Sequence, residues 1–381
     1  MAASASAQNA MTSSPYSMFG LGEMASGLYG QNTSMAGVTV GMREGMLMNI
    51  ENPAGLTALD SCKLFAEASA FVKNERYRSD GSSSNAFTGN FSAFSLGGRI
   101  MRRWYMSAGV TPYSFVGYYF KSSQELEGSP GTFVTSTFSG TGGLSKAFLS
   151  QGFSLTKHLS VGMNLNFIFG NMTLNEIQSA MTVSREMSGR SFYADFGLQY
   201  HRPIARETFL TVGAIYGYKQ RISLKNTVTV TGSSTETPYN QKRVTQYLPQ
   251  YIGIGSSLAH KKWTYALDYL FRQYGVLNSS DSRVKFRDSH ELRLGVCYFP
   301  NGFSSSSYWK RMSYKAGVSV STPYLRLKGQ SGGAYRVSVG LGLPVLNGRI
   351  NTAFYYDRLQ LQGNALRRDI MGFTVTYTLS E

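Results

Sequence analysis

Apolar and polar residues alternate along much of this chain. From Leu159 to Asn166, apolar side chains occupy every second position, and serine, glycine or asparagine fills each position between them. Successive side chains of a β-strand point to opposite faces, so this pattern predicts a strand with one apolar and one polar face. The same alternation recurs at 192–201, 263–272, 335–343 and 372–379. Its repetition predicts an all-β protein.

The alternating pattern divides the chain from about residue 62 onwards into about fourteen strands, an even number as bacterial outer-membrane barrels require. The predicted strands span 62–77, 87–101, 104–121, 132–149, 153–175, 190–202, 206–230, 243–260, 262–277, 283–299, 311–328, 333–346, 349–361 and 368–380. Links after even-numbered strands are mostly short, and links after odd-numbered strands are mostly longer and rich in serine, glycine and asparagine. The long link 300–310 departs from this rule. Alternating link lengths are typical of outer-membrane barrels.

Two environments fit strands of this kind. In a soluble sandwich the apolar faces form the interior, whereas in an outer-membrane barrel they face lipid and the polar faces line the lumen. The sequence contains no run of about 18 apolar residues, the length that a transmembrane helix needs. Residence in a bilayer would therefore require a closed barrel. Link lengths and low charged content, 15%, favour a transmembrane antiparallel β-barrel in the bacterial outer membrane, with Phe167 facing lipid and Asn164 and Asn166 facing the lumen.

The first sixty residues do not share the alternation. Residues 1–7 resemble the small-residue cleavage region of a secretory signal and are interpreted as a signal-peptide remnant, although no basic or apolar region precedes them. An ordinary small-residue terminus is the alternative. Residues 8–60 are rich in glycine and also in Met, Leu and Phe, which predicts burial as a plug inside the lumen rather than a disordered tail. Residues 61–381 then form the barrel.

The net charge of +16 narrows the possible partners. Many basic residues fall in short links, such as Arg102-Arg103 and Lys261-Lys262, where they match outer-membrane lipid and lipopolysaccharide phosphates better than nucleic acid.

The two cysteines, Cys62 and Cys297, are interpreted as free thiols because two distant cysteines make neither a disulfide scaffold nor a metal site. The chain has no Gly-x-Ser-x-Gly, His-Glu-x-x-His or phosphate-loop motif. We therefore expect neither enzyme activity nor a cofactor or metal.

Four segments of the chain stand out: Ser14–Gly22, Asn52–Leu56, Thr111–Tyr118 and Gly340–Val345. Together they resemble FadL-like outer-membrane proteins, most closely the version found in Bacteroidota. The resemblance implies a fourteen-stranded barrel with an N-terminal hatch inside the lumen. It also implies passage of hydrophobic molecules, typically long-chain fatty acids or aromatic hydrocarbons, towards a lateral gap at a kink in the third strand.

The resemblance identifies two candidate elements. Asn52, Pro53 and Ala54 correspond to a hatch motif, although a proline preceded by asparagine could equally form a simple rigid turn. Pro112 and Tyr113, in the third predicted strand, correspond to the lateral-gap kink. A proline cannot donate to a strand ladder, so it is expected at an edge or a bulge, and a bulge without function is the alternative.

Four apolar residues are candidates for lining a ligand pocket: Phe19, Met46, Met48 and Phe115. Methionine adapts to ligands of varied shape, which suits such a pocket. The same residues could instead be ordinary packing between plug and wall.

The predicted lumen face is unusually charged for a hydrophobic conduit. Its charged residues are Asp195, Asp268, Arg272, Glu291, Arg293, Arg336 and Asp357. Charged side chains inside a barrel are usually paired and can anchor a plug. The leading hypothesis is passive transport of a hydrophobic small molecule through a plugged barrel with a lateral opening. The alternative is a non-transporting structural or interaction subunit of a multiprotein outer-membrane secretion or assembly complex, with protein partners.

Overall fold

In the computed structural model, strands make up most of the described chain. The described residues are 12–25, 30–60, 64–79, 82–125, 128, 131–179, 181–232, 236–277, 284–300, 307–327, 329–362 and 366–381. The strands are β1 (Glu23–Met24), β2 (Leu64–Ser79), β3 (Ser82–Met101), β4 (Trp104–Glu125), β5 (Phe133–Ser154), β6 (Leu159–Gln178), β7 (Met181–Ala205), β8 (Thr208–Gly217), β9 (Gln220–Thr231), β10 (Glu236–Leu248), β11 (Tyr251–His260), β12 (Trp263–Arg272), β13 (Val284–Phe286), β14 (Ser289–Tyr298), β15 (Ser313–Ser321), β16 (Leu325–Leu327), β17 (Gly332–Val345), β18 (Gly348–Leu361) and β19 (Arg367–Ser380). Short helical turns span Pro15–Met18, Gln31–Met35, Pro53–Ala58, Tyr274–Val276 and Tyr308–Arg311.

The strands from β2 onwards form a closed antiparallel barrel. Strands β8 and β9 together form one wall strand with a short break, since both of them pair with β7. Strands β10 and β11 likewise form one wall strand with a short break. The barrel closes where β19 pairs with β2, from Arg367 opposite Arg78 to Ser380 opposite Phe65. Fourteen wall strands therefore surround the lumen in the described part of the chain, which confirms the predicted fold class.

The predicted strands match the wall except at several strand ends. The predicted gaps 176–189 and 231–242 are wrong for most of their length, because β6, β7, β9 and β10 continue through them. The predicted strands 283–299 and 311–328 are also too long, because β13 and β16 leave the wall and pair with each other in a separate small sheet. Pro323, two residues after the end of β15, cannot donate to the wall ladder, so the strand does not continue past it.

Burial is inverted relative to a soluble protein. Apolar side chains such as Ile254, Leu294 and Phe167 are exposed on the outer face, whereas Asp268 and Asn166 are buried inside. This distribution is typical of barrels in lipid, whose outward face is apolar and whose interior is polar. No helix in the described part of the chain is long and apolar enough to cross a membrane.

The wall is taller on one side than on the other. Strands β4 to β7 contain 20–25 residues, whereas β12, β14 and β15 contain 9 or 10. Strands of about 9–11 residues suffice to cross a hydrocarbon core. We call the end where β2 begins and β19 ends the proximal end, and the opposite end distal. The taller strands extend beyond the shorter ones at the distal end.

Residues 30–60, here called the inner segment, lie inside the barrel. The Ala36 N–H donates to Ser338 Oγ of β17 at 2.8 Å, and Ser257 Oγ of β11 donates to the carbonyl of Gly41 at 2.7 Å. From another side of the wall, Asn164 Nδ2 of β6 donates to the carbonyl of Ile50 at 2.9 Å. The inner segment is therefore bonded to several sides of the lumen.

Candidate functional site

The Asn-Pro-Ala turn joins the inner segment to the wall. Asn52 Oδ1 accepts the Ala54 N–H at 3.2 Å and caps the helical turn that Pro53 begins, as expected from the fixed φ of proline at a first helical position. Asn52 Nδ2 donates to the carbonyl of Val40 at 2.7 Å and to the carbonyl of Leu198 in β7 at 3.2 Å. Both the oxygen and the nitrogen of the buried Asn52 side-chain amide are therefore hydrogen-bonded, which fixes the turn in place. Its assignment as a hatch motif remains a prediction.

Three wall glycines let the inner segment approach the wall backbone closely. A Cβ added at Gly162 in β6 would lie 2.8 Å from Pro53 Cβ, and one added at Gly197 in β7 would lie 2.9 Å from Pro53 Cδ. A Cβ at Gly213 in β8 would lie 2.8 Å from the carbonyl carbon of Val40. Contacts this short leave no room for a methyl group at these points. Glycine within a strand often marks such close backbone approach.

A buried ion-pair network connects the inner segment with β12 and β14. Arg293 Nη1 contacts Glu51 Oε2 at 3.1 Å and donates to the carbonyl of Gly37 at 2.6 Å. Arg293 Nε binds Glu291 Oε1 at 2.9 Å, and Arg272 Nη1 binds Glu291 Oε2 at 2.8 Å. Arg293 is only 1% exposed. Two arginines and two carboxylates therefore bridge the wall and the inner segment.

The acidic groups of the inner segment are held in their charged forms. Burial raises the pKa of Glu51, but Arg293 and Arg272 outweigh burial and keep that pKa below its usual range. The pKa of Glu44 is likewise below its usual range, because Lys315 and Arg349 outweigh the effect of burial. Opposite charges close to a carboxylate favour its ionised form. Both glutamates therefore act as fixed anions that meet wall cations.

The other charged residues predicted for the lumen face also lie inside and have partners. Asp268 Oδ2 accepts the N–H groups of Thr39 and Val40 at 2.6 and 2.9 Å. Arg336 binds Asp357 through two nitrogens, at 2.6 and 2.9 Å. Asp195 Oδ1 and Oδ2 accept from Asn164 and Asn166, at 2.5 and 2.7 Å. Asp268 therefore binds the inner segment, whereas the other two sets of contacts join neighbouring wall strands.

A small cavity of about 110 Å³ remains beside the inner segment. Pro112 and Tyr113 border it, together with the charged residues Lys146, Asp195 and Arg272. Pockets for drug-sized ligands are about 300–1,000 Å³, and a cavity of about 150 Å³ that binds benzene is lined by apolar side chains. This cavity is therefore too small and too polar for a long-chain fatty acid.

The wall has a seam between β3 and β4. The two strands pair from Met101 opposite Trp104 only as far as Phe94 opposite Val110. Beyond that point β4 keeps its pairing with β5 but shifts register between Pro112 and Ser114, so that Tyr113 is the extra residue of a bulge. A proline cannot donate to a ladder, which explains the irregularity. The bulge lies where the sequence predicted a kink, and its role as a lateral gap remains a prediction.

Residues 12–25, here called the seam segment, pack along the distal edge of β4. Its short strand β1 pairs with β4 at Phe115 and Ser114. Further along, Ser17 Oγ donates to the carbonyl of Gly117 at 3.2 Å and accepts the Gly117 N–H at 3.0 Å. The seam segment is also anchored on the opposite side, because Glu23 forms an ion pair with Arg368 of β19. The edge of β4 is therefore partly covered from within.

Only two of the four predicted ligand-lining residues lie together. Met46 and Met48 belong to a buried cluster with Leu56, Leu59, Phe65 and Tyr105. Phe115 is buried, with Lys73 Nζ 5.9 Å from its ring centre, and Phe19 is half-buried. None of the four borders the 110 Å³ cavity, whereas Pro112 and Tyr113 do. A ligand contact for these four residues remains a prediction.

Sequence reasoning missed the acidic residues of the N-terminal region as anchors. Glu23, Glu44 and Glu51 each meet an arginine of the wall. Residues 1–60 contain only four acids and one base within a chain of net charge +16. The net negative charge of residues 1–60, opposite to that of the whole chain, was the sequence feature that could have identified these anchors. Among the described residues no group of histidine, cysteine, aspartate and glutamate could hold a metal ion, Cys297 is a free thiol, and Cys62 lies outside the described residues.

Comparisons with known proteins agree with this architecture. The family model BamG matches residues 1–380. Solved structures that resemble the chain include a Pseudomonas aeruginosa FadL homologue, with TM-score 0.61, 11% identity and coverage of 93% of this chain and 99% of that one. The Pseudomonas putida toluene transporter TodX matches with TM-score 0.59, 16% identity and coverage of 93% and 98%. The Ralstonia pickettii toluene transporter TbuX matches with TM-score 0.59, 14% identity and coverage of 92% and 98%.

At such low identities these structures establish the fold alone, and they confirm the predicted FadL-like barrel. No curated protein matches the chain at a significant level. The narrower assignment to the Bacteroidota version of the fold remains a prediction.

Proposed function

The chain belongs to the BamG family, and we propose that it is a bacterial outer-membrane barrel that does not conduct and serves as a structural or interaction subunit of a membrane protein complex. Its apolar outer face and polar interior support membrane residence. Short turns at the proximal end, such as Arg102-Arg103 and Lys261-Lys262, support a periplasmic orientation for that end. In this proposal the inner segment is a fixed plug.

The observation that carries the proposal is the bonding of the inner segment to the wall around the lumen. Hydrogen bonds join it to β6, β7, β11 and β17, and ion pairs join it to β14 and β18. Breaking a buried ion pair by removing one partner costs about 3–5 kcal/mol. Displacing the whole plug would break several such interactions together. A general porin is therefore disfavoured, since the plug occupies the path that water would take.

A barrel that carries nothing through its lumen must act through its surfaces. The taller strands β4 to β7 form a projecting sheet at the distal end, and exposed basic residues such as Lys261, Lys262 and Arg206 lie at the proximal turns. Complementary charge steers association with acidic partner surfaces. Both ends of the barrel thus offer surfaces for protein partners.

Gentle extraction of the full chain from its native membrane tests this proposal. We expect partner proteins in fixed proportion to the barrel, identified by mass spectrometry of the purified material. Proteins recovered in fixed proportion to the barrel at low salt count as partners, and loss of such a protein in high salt would show that exposed charges hold it. A barrel that is always recovered alone would overturn the assignment to a complex.

A second candidate function is passive transport of a hydrophobic small molecule, such as a long-chain fatty acid or a hydrocarbon. The seam between β3 and β4 and the bulge at Tyr113 favour it, because they interrupt the wall beside the 110 Å³ cavity. The FadL-like barrels named above include toluene transporters. In this alternative the solute would pass along the seam and not through the plug.

Uptake of radiolabelled palmitate or toluene by proteoliposomes separates the two candidates. Transport through the seam predicts uptake that falls when Pro112→Val restores a strand donor and closes the bulge. Pro203→Val is the matched control, because Pro203 lies at another wall bulge, between β7 and β8. Uptake no faster than in empty liposomes would exclude the second candidate.

A further inference from the structure

The register of four neighbouring strands places arginines together on the outer wall. Tyr335 of β17 lies opposite Arg358 of β18, Arg358 lies opposite Asp369 of β19, and Asp369 lies opposite Arg76 of β2. One step further towards the distal end, Gln360, Arg367 and Arg78 form the next row. Neighbouring strands are about 4.8 Å apart, so these side chains share one surface. We call Arg76, Arg78, Arg358 and Arg367 the arginine patch.

The outer surface of the wall changes abruptly on the proximal side of the arginine patch. One row in the proximal direction, the outward side chains are Val337, Tyr356, Met371 and Asn74. The following row is apolar throughout and consists of Val339, Phe354, Phe373 and Val72, all of them exposed. Residues two apart on a strand are separated by about 7 Å. The outer wall therefore passes from a lipid-compatible surface to a cationic one within the depth of a lipid headgroup.

The patch is fixed in place by one carboxylate and two aromatic rings. Asp369 accepts from Arg358 Nε at 2.8 Å and from Arg367 Nε at 2.9 Å. The Arg358 guanidinium carbon lies 6.0 Å from the Tyr335 ring centre and 5.6 Å from the Tyr356 ring centre. Among the described residues of these rows, four arginines face one aspartate, which leaves an excess of three positive charges. Guanidinium groups have five donors each and match phosphate oxygens in pairs.

A cleft of about 620 Å³ lies next to the patch. Arg358 and Gln360 border it together with Val320 and Leu361, so its lining is both polar and apolar. The cleft exists because β15 ends at Ser321 while β17 and β18 continue beyond that level. Gly332 and Gly333, at the edge of β17, add no side-chain bulk there. The wall thus has a step large enough for part of a sugar headgroup.

We propose that the arginine patch and this cleft bind the phosphorylated headgroup of a glycolipid in the membrane leaflet at the distal end. The arginines bind phosphate, the cleft receives a sugar, and the acyl chains lie over the apolar rows beneath. A lipid fits better than a free anion or an acidic protein, because the patch continues directly into lipid-facing side chains such as Phe373 and Val72. The inference rests on the proposed membrane residence but not on the absence of transport.

Binding of defined lipids to the full chain in nanodiscs tests the site. The probes are bisphosphorylated lipid A, the same lipid without phosphates, and inorganic phosphate. The variant combines Arg76→Gln, Arg358→Gln and Arg367→Gln. The matched control combines Arg190→Gln and Arg221→Gln, two exposed arginines on β7 and β9. We expect the wild type and the control to bind bisphosphorylated lipid A at least tenfold more tightly than the dephosphorylated form, and the triple variant to lose this preference.

Equal binding of the two lipids by the wild type, or an unchanged preference in the triple variant, would overturn the inference. Displacement of the lipid by millimolar inorganic phosphate would show a free-anion site instead. Loss of a co-purifying protein in the triple variant, with lipid preference absent from the wild type, would show a protein interface. Heat-modified gel mobility reports folding of each variant. Flotation of the chain with membranes checks membrane residence separately, so that failure of that premise is distinguishable.

Discussion

Arg293 of the barrel wall and Glu51 of the inner segment form an ion pair, with Nη1 3.1 Å from Oε2. The same guanidinium binds Glu291 and the carbonyl of Gly37. Because Arg293 is almost completely buried, these partners must compensate its positive charge in place of water. The pair therefore joins the inner segment to the wall through a buried charge.

Replacing Glu51 with glutamine should destabilise the protein strongly. The substitution keeps the side-chain volume but leaves Arg293 with one counter-charge fewer in a buried site, which costs about 3–5 kcal/mol when a partner is lost. Thermal unfolding followed by heat-modified gel mobility measures the effect. Glu186→Gln, an exposed change on β7, serves as the control and should leave the transition in place. If both variants unfold at the same temperature, the ion pair between Glu51 and Arg293 contributes little to the stability of the protein.

Acid should weaken the attachment of the inner segment. The pKa values of Glu44 and Glu51 in the folded protein are lower than the ordinary value of 4.5. A lowered folded pKa stabilises the protein above the unfolded pKa, and this contribution disappears as the pH falls through the folded pKa. The unfolding temperature should therefore be insensitive to these groups at pH 6–8 and decline below about pH 4.5.

The control for this acid effect is the double variant Glu44→Gln, Glu51→Gln. It should start from a lower unfolding temperature at neutral pH and lose less on acidification, because it lacks the two groups that titrate. A decline of the same size in the wild type and the double variant would assign the acid sensitivity to other carboxylates.

Gly162→Ala should force the inner segment away from the wall. The new methyl group would meet Pro53 Cβ at 2.8 Å, closer than side-chain carbons normally approach. Overpacking of this kind costs about 1–3 kcal/mol. Gly232→Ala is the matched control, because nothing lies within 4 Å of a Cβ placed there. Denaturant unfolding of the two variants should differ, and equal stability would show that the inner segment yields at this contact.

Asn52→Ala should remove both a helix cap and the bond from the inner segment to β7. The cap alone is worth about 0.5–2 kcal/mol, and the carbonyls of Val40 and Leu198 would lose a donor in a buried place. Asn85→Ala, on the exposed face of β3, is the control. Hydrogen exchange of the backbone amides of residues 49–57 should accelerate in Asn52→Ala. Unchanged protection there would argue that the turn is held by its other contacts.

The alternation of apolar and polar residues was sufficient to predict the wall wherever one face meets lipid and the other meets the lumen. It failed at 181–189 and 236–241, because these strands are polar or mixed on both faces and extend beyond the apolar belt. The bulge at Tyr113 was predictable from Pro112, since the missing donor acts locally. Strand β4 therefore shows how far one residue type can determine local geometry.

The contents of the lumen were harder to predict. The inner segment has few regular elements, so no period relates its residues to wall positions. Its contacts join residues far apart in the sequence, such as Glu51 with Arg293 and Gln31 with Thr378. Met46 and Phe115 were grouped because both are apolar, yet only Met46 lies in the cluster around Leu56. Residue type without distance information cannot decide which apolar residues share a pocket.

The central claim, a lumen closed by a fixed inner segment, is tested most directly by single-channel recording. The purified full chain is inserted into planar bilayers in concentrated potassium chloride, with a general porin as a positive control for insertion and detection. The bonding of the inner segment to the wall predicts no conductance steps from the wild type under conditions in which the porin gives them. Stable, reproducible conductance steps from the wild type would contradict the closed lumen and with it the proposed non-conducting role.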